Sequence, residues 1–153
     1  ATTEVLTSDF SNKTDLLDIV LDQKPDIFNH NIETVSSLPP KIRHIATYEN
    51  SLNVLKHAKN SKKPKYIKSG LMVGLGETQE EVNEAIQDLY KVGCDMITIG
   101  QYLQPSQTKL PIKEYVSLQQ FQAYQDFGHK IGIKKMFCSP FVRSSYHAEL
   151  LKH

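Results

Sequence analysis

Short apolar or β-branched runs alternate along this chain with longer stretches of helical period, and this rhythm constrains the fold more than any other feature. The runs are Glu4 to Leu6, Asp26 to Asn31, Ser69 to Val73 and Met96 to Tyr102. Between them lie Thr14 to Leu21, a stretch near Tyr48 to Lys59, Glu77 to Lys91 and Ser117 to Lys130. Repeats of this kind predict β-α units and a parallel sheet, hence an α/β fold. Leu16, Leu17, Val20 and Leu21 are expected on one face of the first helix, and Leu52, Leu55 and Ala58 face inward on the second, which starts near Asn50 or Ser51. Val82, Ala85, Ile86 and Leu89 form the stripe of the third helix, with Gly93 just past its end. Gly132 stops the fourth, and Lys135 to Cys138 reads as a further short strand. An open flavodoxin-like sheet and a portion of a barrel share this pattern. In both, ligands bind in the loops after the C-terminal ends of the strands.

With 153 residues the chain can form one domain with a real core, or part of a larger one. Its 18 Lys and Arg nearly balance 17 Asp and Glu, so charge gives no reason to expect nucleic acid or an anionic membrane as partner. No apolar run approaches the roughly 20 residues of a membrane span. Cys94 and Cys138 are the two cysteines, too few for a disulfide framework and not spaced as metal ligands. They fit core positions in a reducing compartment, here expected to be cytoplasm, or an organelle in a eukaryote. The first residue, Ala1, leads to the expectation of a processed or truncated chain.

Three constellations fall at strand ends. In Asn29-His30-Asn31-Ile32-Glu33, alternation sends Asn29, Asn31 and Glu33 to one side. An amide beside a carboxylate suits the hydroxyls of a ribose, and equally a capped turn. His30 has no His or Cys partner at ligand spacing and reads as a hydrogen-bonded structural residue. In Gly70-Leu71-Met72-Val73-Gly74-Leu75-Gly76-Glu77 a strand empties into a glycine turn. The turn lacks both the dinucleotide fingerprint and the P-loop ending, so it is either a close approach for a flat ligand or a tight turn with Glu77 or Thr78 capping the helix. Phe141 to His147 gathers an arginine, two hydroxyls, a phenol and an imidazole, the composition of a polar tail. A Ser-His catalytic pair there is disfavoured, because no nucleophile-elbow glycines flank the serines. Gly100-Gln101-Tyr102-Leu103-Gln104-Pro105 closes the fourth run with further polar groups, candidates for lining the same face.

Taken together, these segments resemble lipoyl synthase, a family of the radical S-adenosylmethionine superfamily, over essentially the whole chain. The pieces that carry the resemblance are Glu4 to Phe10, Phe28 to Val35, Lys68 to Thr78, Gly100 to Ser106 and Arg143 to His147. Arg143-Ser144-Ser145-Tyr146 is the most specific of them. The resemblance implies the C-terminal portion of a (β/α)6 partial barrel, with roughly the last four β/α units in residues 1–132 and a C-terminal segment in 133–153. It also implies two 4Fe-4S clusters and S-adenosylmethionine, although both cysteine triplets expected of the family are absent from this chain.

By position in those motifs, Asn31 and Glu33 are expected at the ribose of S-adenosylmethionine, and Gly70, Gly74 and Glu77 at the adenine. Ser145 is expected as an oxygen ligand of the auxiliary 4Fe-4S cluster, with Arg143 as a catalytic neighbour. The implied activity is sulfur insertion at C6 and C8 of an octanoyl chain by radical chemistry. The implied partners are an octanoylated carrier, either the glycine cleavage H protein or the lipoyl domain of a 2-oxoacid dehydrogenase, and an electron donor. The chain alone is expected to be inactive and prone to aggregate. A catalytically dead nucleotide- or carrier-binding module is the second reading, and a small flavodoxin-like enzyme the third.

Overall fold

The computed structural model describes residues 2–7, 14–32, 35, 45–104, 106–107 and 111–141. Five strands, β1 (Glu4–Leu6), β2 (Ile27–Asn29), β3 (Tyr66–Val73), β4 (Met96–Gln101) and β5 (Lys135–Cys138), form one sheet in the order β1-β2-β3-β4-β5. All four pairings are parallel. Helices α1 (Thr14–Asp22), α2 (Ile45–Ser61), α3 (Gln79–Lys91) and α4 (Leu118–Ile131) fill the crossovers.

A sheet whose spatial order equals its chain order is wound in one direction. Since β-α-β crossovers share one hand, the helices collect on one face, and such a sheet curls as an arc of a barrel. A flavodoxin-like sheet instead reverses direction, in the order 2-1-3-4-5. The flavodoxin-like reading is therefore overturned, and the partial-barrel class stands. Lys135–Cys138 enters this sheet beside β4.

Side-chain alternation divides the sheet. Phe28, Ile67, Leu71, Val73, Ile97, Ile99 and Met136 join the helices in the core cluster. Their neighbours in register, including Asn29, Lys68, Gly70 and Thr98, face the opposite, inner side. That side is polar where it begins: Asn29 Nδ2 donates to Glu4 Oε2 at 2.8 Å, and Lys68 Nζ reaches Glu4 Oε1 at 3.4 Å. The Lys68 side chain is 1% exposed. Burial pulls its amine below the ordinary value, while the Glu4 carboxylate acts in the opposite direction.

On α3 the stripe Val82, Ala85, Ile86 and Leu89 is buried, as its spacing predicts. Thr78 accepts from the Glu81 amide while the Glu81 carboxylate accepts from the Thr78 amide, a capping box that fixes where the helix starts. Ser117 caps α4 through the Gln120 amide, and Gly132 closes it in the left-handed conformation. Two expectations fail. Leu16 is 47% exposed, so the inward face of α1 is Leu17 and Leu21 with Val20 at its margin. Helix α2 starts at Ile45, so Ser51 is an interior position. There Ser51 is buried, because its hydroxyl serves a partner on another element.

At the opposite end from the site, Asp95 ties three strands. Its Oδ2 accepts from the Ile67 amide at 2.9 Å, its own amide donates to the Ile67 carbonyl, and its carbonyl accepts from the Lys135 amide. Lys59 and Lys134 each lie 3.7 Å from Oδ1.

Candidate functional site

The β2–β3 ladder does not stop where β2 formally ends. His30 N donates to Lys68 O and Ile32 N to Gly70 O, both at 3.0 Å, so the register carries Asn31 alongside Gly70 on the inner side. Gly70 pairs in turn with Thr98. A Cβ on Gly70 would overlap Thr98 Oγ1 and come to 3.1 Å from Asn31 Oδ1. The bare glycine thus makes room for the Thr98 hydroxyl, which stands where a side chain of residue 70 would be, with Asn31 Oδ1 close by. Asn31 Oδ1 is buried and has no hydrogen-bond partner among the described residues. A buried amide oxygen left in that state costs about 1–3 kcal/mol, which makes it a position built for an incoming donor.

Gly74 and Glu77 sit at the next level, after the end of β3. The Glu77 carboxylate accepts from the Gly74 amide at 3.1 and 3.0 Å and from the Leu75 amide at 3.1 Å. It folds back onto the turn, so Glu77 fixes the loop's shape. Gly74 has a φ of 105°, a conformation that a side chain disfavours. Its carbonyl accepts from the amides of Lys113 and Glu114. Gln101 completes the clamp: Nε2 donates to Glu114 O at 2.9 Å and to Tyr102 O at 3.0 Å, while Oε1 accepts from Val116 N at 2.9 Å. One glutamine therefore locks the segment before α4 against the glycine turn.

His30 has both ring nitrogens engaged. Nδ1 lies 3.1 Å from the Thr7 carbonyl and 3.0 Å from its hydroxyl, and Nε2 lies 3.1 Å from Ser51 Oγ. A carbonyl only accepts, so Nδ1 carries the proton and Nε2 accepts from Ser51. This is a structural histidine that joins β1, β2 and α2.

Of the expected site residues, the fold brings Asn31 and Gly70 together and places Gly74 with Glu77 in the neighbouring turn. Glu33, Arg143 and Ser145 lie outside the described residues. Thr98, Gln101, Glu4 and Lys68 went unrecognised as partners in the sequence. The only local signal for them was a polar residue interrupting an apolar run.

Asn31 Oδ1, a buried acceptor with no donor among the described residues, has the chemistry that a nucleoside hydroxyl would satisfy. An iron–sulfur cluster does not fit the described residues, which hold no group of three His, Cys, Asp or Glu able to bind a metal. Burial pushes the Cys138 thiol up to about 12 and raises that of Cys94 as well. Native Cys138 should therefore alkylate with iodoacetamide at pH 8 roughly three orders of magnitude more slowly than in urea, since the thiolate is the reacting form. Ionisation begins near 9.0 in the unfolded chain but later in the folded one, so this thiol costs stability as pH rises above 9.0. Mass spectrometry of the alkylation time course checks the rate. Equal rates in the two states would contradict the burial.

A profile of the radical SAM superfamily matches residues 1–89, more than half of the chain. The chain belongs to the radical SAM superfamily. It is 53% identical over 152 residues to a lipoyl synthase of Protochlamydia amoebophila, covering 98% of this chain and 47% of that protein. It is 48% identical over 149 residues to a lipoyl synthase of Caldanaerobacter subterraneus, covering 97% and 52%. With that of Phocaeicola vulgatus it shares 49% over 148 residues, covering 97% and 51%. This radical SAM chain thus spans about half the length of the curated relatives it matches. Among its described residues no helix is long and apolar enough to cross a membrane.

Proposed function

We propose that this chain supplies the nucleoside-binding wall of a lipoyl synthase, which inserts sulfur at C6 and C8 of a protein-bound octanoyl chain. The observation that carries the reading is Asn31 Oδ1, a buried acceptor with no donor among the described residues, just past the end of β2. A ribose hydroxyl is the kind of donor it lacks. S-adenosylmethionine and two 4Fe-4S clusters, held together with the remainder of the full-length protein, supply the radical and the sulfur.

The chain's own residues bind and orient. Asn31 accepts from the nucleoside, and Glu33 offers it a second acceptor. Gly70 lies beside Asn31 on the neighbouring strand in the segment that supports the adenine, and the turn at Gly74, held by Glu77 and Gln101, gives a rigid rim. Preorganisation of this kind lowers the ordering cost of binding and excludes water from the reacting atoms. In the Arg143-Ser144-Ser145-Tyr146 motif, Ser145 is the oxygen ligand of the auxiliary cluster and Arg143 its neighbour. The partners are an octanoylated carrier, the glycine cleavage H protein or a 2-oxoacid dehydrogenase lipoyl domain, and an electron donor, in a cytoplasmic setting.

The test uses full-length protein with clusters reconstituted under anaerobic conditions. Wild type forms lipoyl product on an octanoylated lipoyl domain. Asn31→Ala binds S-adenosylmethionine about tenfold more weakly in equilibrium dialysis, the loss expected of one hydrogen bond. Unchanged affinity removes Asn31 from the site, and absence of lipoyl product from the wild type sinks the reading.

A further inference from the structure

Four large apolar side chains stand in solvent at the end of the sheet that carries the candidate site. Leu103 follows β4, Tyr115 and Leu118 lie where the chain enters α4, and Phe141 follows β5; each is at least 51% exposed. Their backbones converge on one buried side chain. Gln101 holds the Glu114 carbonyl and the Val116 amide, on either side of Tyr115, and its own amide donates to the carbonyl of Pro140, next to Phe141, at 3.4 Å. Leu103 stands two residues beyond Gln101, and Leu118 follows Ser117, the cap of α4. The amides of Lys113 and Glu114 donate to the Gly74 carbonyl, so this apolar surface is continuous with the glycine turn of the site.

Single exposed apolar residues are ordinary, whereas several gathered on loops with a fixed base mark a contact surface. Tyrosine and phenylalanine are also residues that interfaces favour. Two occupants compete. The chain covers only 47% of its Protochlamydia relative, and the lipoyl synthase resemblance puts the remainder before β1. That is the opposite edge of the sheet, with β2 and β3 lying between it and β4. The octanoyl chain, by contrast, reaches the strand ends attached to a protein, whose surface comes against the loops at this end. We propose that Leu103, Tyr115, Leu118 and Phe141 form the docking surface for the carrier protein that presents the octanoyl chain. The inference rests on the lipoyl synthase reading and adds the place where its partner binds.

The experiment uses full-length protein with reconstituted clusters. An octanoylated lipoyl domain is the substrate, and the same domain without its octanoyl group is a competitive inhibitor. The variant Tyr115→Ser with Leu118→Gln is expected to raise both the KM of the substrate and the Ki of the inhibitor about tenfold, as loss of interface anchors does. Its kcat and its affinity for S-adenosylmethionine should stay within about twofold of wild type. Tyr115→Phe with Leu118→Met should keep both constants near wild type. Thermal melts confirm folding, and Tyr115→Ser alone replaces the double variant if that does not fold. A raised KM with an unchanged Ki, or no inhibition of wild type by the bare domain, overturns the proposal, because the surface then serves the octanoyl chain alone. Unchanged KM and Ki overturn it as well. So does a wild-type dimer in size-exclusion chromatography that the double variant dissolves, since a second copy then covers the surface. Absence of lipoyl product from the wild type sinks the underlying reading instead.

Discussion

Alanine in place of Gly74 lowers the thermal midpoint of the chain by roughly 10 °C, about 3 kcal/mol for a domain of this size. Two costs add. The backbone there has a φ of 105°, strained for any residue with a Cβ by about 1–2 kcal/mol. The new methyl would also run into the Gln101 amide and come to 2.6 Å from Glu114 O, an overpacking cost of about 1–3 kcal/mol. Gly76 is the control. Its φ is 104°, yet the nearest atom to an added Cβ is Lys113 Cγ at 3.8 Å, so Gly76→Ala carries the strain without the collision. Melts of the two variants by circular dichroism should differ by several degrees. Equal midpoints would mean that the Gln101 clamp yields freely and does not fix the turn.

Asp95→Ala destabilises the chain by about 2–3 kcal/mol, whereas Asp95→Asn costs under about 1 kcal/mol. Alanine leaves the Ile67 amide without the side-chain oxygen it donates to, and an unsatisfied buried donor carries most of that cost. Asparagine keeps an oxygen for Ile67 and gives up the charge. The lost pairs are worth little, because the Lys59 and Lys134 side chains are 48% and 71% exposed and each stands 3.7 Å away. Urea unfolding of the three proteins separates the contributions. An asparagine variant as weak as the alanine one would assign the stability to the ion pairs instead.

Elements whose residues follow a single period were legible from the sequence. The stripe of α3, the caps of α4 and the short strands β1 and β5 emerge from spacing and capping chemistry alone. β3 was legible only in its second half. It begins at Tyr66, and the charged Lys68 breaks the apolar run, because this strand buries its amine against Glu4 on a polar inner face. The same physics limited the site. Asn31, past the end of β2, and Gly70, within β3, announce themselves through residue type, but their juxtaposition depends on a ladder that runs past β2. Lys68 and Glu4 are 64 residues apart, and Thr98 meets Gly70 across a strand pairing, so no local pattern connects them. The exposure of Leu16 has the opposite origin: its period places it near the apolar face, and tertiary packing uses only Leu17 and Leu21 fully.

The one-directional order of the sheet bears on how such a chain is made. Each strand pairs only with the strand one helix away in sequence, so no loop longer than one crossover must close before a pairing forms. As the polypeptide leaves the ribosome, every new strand meets an edge that already exists, and the sheet lengthens in the direction of translation.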